Sequence, residues 1–137
     1  MATINMQTMR YINLLTRVTQ VRTSKCFIYN NTIIFAVPKP LVARALGSSG
    51  ANIRNMQNVL GKKIKIVVEP AGIEDASRFI GDITNPIGFK SLDANGAELV
   101  INAGPRNKAA LIGRDKKRLL ELGQIVQDSF GMPVRIV

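Results

Sequence analysis

Histidine is absent from this 137-residue chain. Without an imidazole, His-ligated zinc sites and the Ser-His-Asp and Cys-His nucleophilic machineries are excluded. Cysteine is nearly absent: Cys26 stands alone, so neither an intramolecular disulfide nor a CxxC redox centre is available. Its flanks, Lys25 and Phe27-Ile28-Tyr29, read as a strand, which makes the thiol a small core side chain rather than a nucleophile. No GxxxxGK[ST] phosphate loop is present, and nucleotide hydrolysis has no support. No apolar run approaches the ~20 residues of a membrane helix. The first stretch is broken by Asn5, Gln7, Thr8, Arg10, Asn13, Thr16 and Arg17, which leaves no continuous apolar region of a secretion signal. The expected location is the cytoplasm, with no membrane partner.

Acidic residues are missing from half of the chain. Between Met1 and Val68 there are ten basic residues and no acidic one, whereas Glu69 to Val137 carries nine of each sign. The net charge of +10 therefore belongs to the first half. With 46% hydrophobic residues the chain has enough apolar side chains for a core, so this charge is expected on a folded surface, where it favours a polyanionic partner.

The apolar pattern repeats. A shift of 66 residues places Ile33-Ile34-Phe35 on Leu99-Val100-Ile101, Leu46-Gly47 on Ile112-Gly113, Ile53 on Leu119, Met56 on Leu122 and Val59 on Ile125. Further on the shift becomes 70, so that Leu60-Gly61 falls on Phe130-Gly131 and Ile64 to Val67 on Val134 to Val137. Four extra residues are close to one helical turn, which keeps the same face inward. Two copies of one module are expected, over residues 1–70 and 71–137.

Each copy parses as helix, strand, strand, helix, helix, strand, an α+β fold with a three-stranded mixed sheet packed on helices. In the first, Tyr11, Leu14, Leu15 and Val18 predict an amphipathic helix over 4–18; Met6 and Met9 are expected in its core. Strands are predicted at 25–29 and 32–37 around an Asn30-Asn31 turn. A short helix follows at 41–46, then one at 51–60 with Ile53, Met56, Val59 and Leu60 on one face. Gly61 suits its C-cap, and 64–68 closes the sheet. In the second copy a helix is predicted at 74–80, strands at 87–92 and 98–102 joined by an Asn95-Gly96 type I′ turn, a helix from Pro105 to Ile112, a long helix and a strand at 134–137. The seven aromatics fall mostly at core-like positions, and no aromatic platform of the RRM type is visible.

Gly47-Ser48-Ser49-Gly50, between two helices, is the candidate site. Glycines allow close backbone approach to a ligand, and free N–H groups at the start of the following helix are expected to face outward toward an anion. Leu46, Ile53 and the 64–66 strand form an apolar rim suited to unstacked bases. Lys39, Arg44, Arg54, Lys62, Lys63 and Lys65 are expected around it, with Asn52 beside the loop. A GxxG alone is a weak signal and in a random sequence would be read as an ordinary helix-helix turn; the acid-free half and the repeated module make it a candidate nucleic-acid loop.

These stretches resemble a known family. Arg10-Tyr11-Ile12, Ile33-Ile34-Phe35, the run from Ala45 to Arg54, and Leu60-Gly61-Lys62-Lys63-Ile64, with Ala110 to Asp115 and Phe130-Gly131, look like tandem type II KH domains of the archaeal NusA-like transcription factors, over essentially the whole chain. The resemblance implies single-stranded RNA binding at both loops, a role in transcription termination or antitermination, RNA polymerase as a possible partner, and neither a cofactor nor an enzymatic activity. The second loop departs from the pattern: Gly113-Arg114-Asp115-Lys116 has Lys116 in place of the last glycine. Arg114, Lys116, Lys117 and Arg118 then either hold phosphate through side chains or form a solvated basic helix start. A ribosome-associated or RNA-processing KH protein, and a protein-interaction adaptor on the same scaffold, remain alternatives to a transcription factor.

Overall fold

The computed structural model describes residues 6–137; residues 4 and 5 of the first expected helix lie outside them. Two compact units divide between Glu69 and Pro70. Each is an α+β unit with one three-stranded mixed sheet.

In the first unit, α1 (Met6–Thr19) precedes the hairpin of β1 (Lys25–Tyr29) and β2 (Thr32–Val37). Asn30 and Asn31 both take positive φ, 49° and 59°, as a type I′ turn needs. The return path runs through a 3-10 turn at Lys39–Leu41, α2 (Val42–Leu46), a second 3-10 turn at Ser48–Gly50 and α3 (Ala51–Leu60), into β3 (Lys63–Val68). The β1 and β2 strands are antiparallel, whereas β3 lies parallel to β2, with Ile33 opposite Ile64 and Phe35 opposite Ile66. Their α1-facing side contributes Cys26, Ile33, Phe35, Val37 and Ile64 to a core completed by Tyr11, Leu14, Leu15, Ala45 and Met56. The opposite face of β2 is also closed, Ile34 and Ala36 being fully buried, so the strand reads as one continuous apolar run. Gln57 on α3 adds a directional tie to the edge strand: its Oε1 accepts the Ile64 N–H at 3.1 Å.

Three side chains expected in this core are outside it. Met6 and Met9 are exposed, because the inward line of α1 runs through Thr8, Tyr11, Leu15 and Thr19 and leaves both on the arc with Arg10, Asn13 and Arg17. The buried Thr19 hydroxyl donates to the Leu15 carbonyl at 2.7 Å and accepts from the Val21 N–H at 3.0 Å, which makes a polar residue acceptable on that face. On α3, Ile53, Met56 and Leu60 face the core while Val59 is exposed.

In the second unit a 3-10 turn at Ile73–Asp75 leads into α4 (Ala76–Thr84), which runs four residues past its expected end and buries Phe79, Ile80 and Ile83. The strand expected at 87–92 forms later and shorter, as β4 (Ser91–Ala94). The preceding segment holds a cis Asn85-Pro86 bond, and the Lys90 N–H donates to the Asn102 carbonyl at 2.7 Å to start the pairing. Between β4 and β5 (Leu99–Asn102), the predicted type I′ turn is replaced. Only Gly96 has positive φ, and Asn95 Oδ1 accepts the N–H groups of Ala97 and Glu98 at 3.0 and 2.9 Å. An Asn side chain that mimics a backbone turn in this way makes a longer loop possible.

The chain then forms α5 (Pro105–Ile112), a 3-10 turn at Arg114–Lys116, α6 (Lys117–Phe130) and β6 (Val134–Ile136), parallel to β5. The 14 residues of α6 against the 10 of α3 account for the changed shift, and the longer helix buries Leu122, Ile125 and Val126. Phe79 and Phe130 meet edge to face with centroids 6.0 Å apart. Among the described residues no helix is long and apolar enough to cross a membrane.

Cys26 is buried in β1, and desolvation pushes its thiol pKa from 9.0 to about 12. A folded-state pKa above the unfolded one means that the protonated thiol favours the folded state. That contribution is complete below pH 9 and is lost as pH rises toward about 12. At pH 8 a thiol reagent is therefore expected to label Cys26 only at the rate of unfolding, checked by comparing labelling with and without denaturant. Labelling of the native protein as fast as of a free thiol contradicts this burial.

Candidate nucleic-acid interface

The two loops between the paired helices have the same backbone although their sequences share only the first residue. Gly47 and Gly113 both have φ 77° and ψ 172°. Ser49 has φ 53° and ψ 32°, and Asp115 has φ 54° and ψ 29°. Gly50 at φ 74° and ψ 19° corresponds to Lys116 at φ 61° and ψ 22°. The substitution of Lys116 for glycine therefore leaves the path of the loop unchanged, at the expense of a left-handed lysine. Such a residue costs about 1–2 kcal/mol in backbone strain.

The first glycine is needed for space as well as for φ. A Cβ on Gly47 would fall 2.8 Å from Asn52 Cγ and 2.9 Å from the Asn52 nitrogen; on Gly113 it would fall 2.9 Å from Arg118 Cγ. Those crowding side chains do one job in two chemistries. Asn52 Nδ2 donates to the Arg44 carbonyl at 3.0 Å, and Arg118 Nη1 donates to the Ala110 carbonyl at 3.0 Å. Both acceptors lie in the last turn of the helix before the loop, and both donors in the first turn of the helix after it. Each is a clasp that holds the two helices around a loop of fixed shape. Asn52 and Arg118, expected as RNA contacts, thus have a scaffold role in the structure.

Two of the N–H groups at each loop, expected to face outward, are bonded within the protein. Gly50 N–H donates to the Gly47 carbonyl at 3.1 Å and Lys116 N–H to that of Gly113 at 3.2 Å, while the Ala51 and Lys117 N–H groups turn back to Ser48 and Arg114. These i→i+3 bonds take up two N–H groups in each loop, and the side chains offered to a ligand are the exposed Ser48-Ser49 tip in one unit and Arg114, Asp115, Lys116 and Lys117 in the other.

Around the first loop, Arg54 is exposed and its guanidinium donates to the Ser49 carbonyl, which places its charge at the tip. Arg44, also exposed, occupies the last turn of α2. Lys62 and Lys63 are farther off, beyond the other end of α3, about 15 Å along a ten-residue helix. Lys65 is not beside the rim: it pairs in register with Ile34, on the sheet face opposite Ile64 and Ile66. Of the apolar rim, Leu46 and Ile53 are half-buried, but Ile64 belongs to the core. Leu120, in the position corresponding to Arg54, was not anticipated: it is 69% exposed beside the second loop. Applying the 66-residue shift to Arg54 would have found it. Among the described residues no cluster of three or more potential metal ligands occurs.

No family model matches the chain, and none of the curated proteins matches it. Among solved structures the chain is similar to one described as "Crystal structure of APE1850". The two are 27% identical with a TM-score of 0.66, and the match covers 98% of this chain and 100% of that one. Both α+β units are therefore within the shared fold.

Two substitutions separate shape from strain. Gly47→Ala is expected to destabilise the protein by about 2–4 kcal/mol, from forbidden φ and contact with Asn52. Lys116→Gly relieves a left-handed side chain and is expected to stabilise by about 1 kcal/mol. Both are measured by denaturant unfolding; a loss of stability in Lys116→Gly contradicts the strain assigned to that residue.

Proposed function

We propose that the chain is a non-enzymatic, single-stranded RNA-binding protein built from two type II KH-type modules and acting in transcription termination or antitermination. The observation that carries this is the matched, strained loop pair. Ser49, Asp115 and Lys116 keep left-handed backbones in both modules. Strain kept at equivalent places in two copies, despite changed sequence, supports a binding surface at these loops. The charge around the loops supports a polyanion. Arg44 and Arg54 flank the first, and Arg114, Lys116 and Lys117 populate the second. Half-buried Leu46 and Ile53 supply apolar surface next to the first tip, as unstacked bases need.

The two modules divide the work. The first has a small, neutral tip that lets a sugar-phosphate backbone approach closely, with cations at its margin. The second has a charged tip that holds phosphate through side chains and positions the strand rather than reading it. The transcriptional role rests on the resemblance of the motifs to the NusA-like family, with nascent RNA as the ligand and RNA polymerase as the companion protein. The cytoplasm is the corresponding location.

Ser48→Asp combined with Ser49→Asp tests the first tip. Asp115 already occupies the position equivalent to Ser49 with the same dihedrals, so the variant is expected to fold. Its affinity for a single-stranded RNA oligonucleotide should fall at least about tenfold, the effect of placing like charge against phosphate. Undiminished binding by the folded variant in a fluorescence titration overturns the loop assignment. The wild-type affinity should also fall linearly with salt on logarithmic axes as counterions are released. Crosslinking of bound RNA in cells should recover nascent 3′ ends; recovery of ribosomal RNA alone overturns the transcriptional role.

A further inference from the structure

The second unit contains a cleft that the loops do not use. It has a volume of about 570 Å³ and lies between the segment before β4 and the start of α5. Ala103, buried, and Phe89, half-buried, supply its apolar surface together with Pro105. Its walls are tied together, because Asn107 Nδ2 donates to the Gly88 carbonyl at 2.9 Å and the Lys90 N–H is fixed to Asn102. The cleft is thus a formed feature and not a gap between loose segments.

Its charge is one-sided. Lys90 and Arg106 both line it, and none of its lining residues is acidic. Among the described residues neither cation takes part in an ion pair. The Lys90 side chain lies across Gly104: a Cβ there would fall 3.0 Å from Lys90 Cε and 3.7 Å from Nζ. Gly104 has φ 79° and immediately precedes α5, so the ammonium sits at the positive end of a helix dipole, where a cation alone is disfavoured. An anion between Lys90 and Arg106 removes that mismatch. An apolar recess with an aromatic side chain, rimmed by two cations and no carboxylate, matches a planar base joined to a phosphate.

We propose that this cleft is a second binding site, for a nucleotide, with the base against Phe89 and the phosphate between Lys90 and Arg106. The ligand is either a free nucleotide or a nucleotide unit of single-stranded RNA; only the latter source rests on the RNA-binding function proposed above. Gly88 supplies a clean way to block it. Its backbone has no positive φ, and a Cβ there would meet nothing within 4 Å, so a side chain is tolerated by the protein and enters space the ligand needs.

The test is an NMR titration of the full chain with adenosine monophosphate, inorganic phosphate, adenosine and a single-stranded RNA oligonucleotide. Adenosine monophosphate is expected to shift Phe89, Lys90, Gly104 and Arg106 at lower concentration than phosphate or adenosine alone. Gly88→Leu should abolish these shifts, and Arg106→Gln should weaken them about tenfold, as the loss of one hydrogen bond to a charged group does. RNA that shifts the same residues and displaces the mononucleotide identifies the source as the strand; a mononucleotide retained in the presence of RNA identifies a free ligand. The Ser48→Asp, Ser49→Asp variant should keep its cleft shifts. RNA binding with no cleft response to either ligand overturns the cleft alone, whereas a cleft response to the mononucleotide without any RNA binding overturns the RNA-binding function and leaves the cleft standing. Unchanged shifts in Gly88→Leu also overturn the site.

Discussion

Each module depends on a clasp across its helix-helix corner. The glycine that ends the first helix of the pair turns the chain, and a side chain in the first turn of the next helix reaches back to a carbonyl of the helix just left. Turn and clasp require one another. Any Cβ on the glycine would collide with the residue that forms the clasp, and the clasp adds to the loop's own 3-10 bonds in holding its strained residues. The rest follows from that corner: a fixed loop between two helices, and a crossover of set length between the parallel strands β2 and β3, or β5 and β6.

The corner also separates two uses of positive charge. Arg118 resembles its neighbours Lys116 and Lys117 in sequence, yet its guanidinium is held by the Ala110 carbonyl and it is half-buried. Arg54 has the opposite character: it is exposed and leans on the loop carbonyl, so its charge is presented where Ser48 and Ser49 protrude. Charge counted along a sequence is therefore a poor measure of charge offered to a ligand. The second corner, richest in cations by count, offers three outward ones, with Asp115 among them.

The repeat and the strand periodicity made the fold legible. The strands β1 and β2 and the helices α3 and α5 form over the expected residues, because alternation, Asn-Asn, Pro and Gly act locally. Where longer-range geometry decides, the pattern was insufficient. The apolar character of Met6 and Met9 gave no sign that Thr8 and Thr19 would take the inward line, since only the tertiary contact and the hydroxyl bonds of Thr19 settle which arc of α1 is covered. The Asn95-Gly96 pair suggested a two-residue turn, but the Asn95 side chain captured two N–H groups and lengthened it. At the site, the loop was legible from its glycines. The clasp was not: the 66-residue shift places Asn52 on Arg118, but an amide and a guanidinium give no sign that both reach back to a carbonyl of the preceding helix. The sequence placed Lys65 at the rim through its neighbours, whereas strand alternation turns it to the other face.

The tie from Gln57 to the Ile64 N–H joins α3 to the edge strand β3 by a side chain. The bond couples α3 to β3 directly, and the parallel ladder couples β3 in turn to β2 of the hairpin. In the second module the 66-residue shift puts Gly123 at this position, where a Cβ would only touch Val134 at 3.9 Å. A single position thus decides whether helix and edge strand are joined by a side chain as well as through the chain: Gln57 in the first module makes that bond, and Gly123 in the second has no side chain to make it.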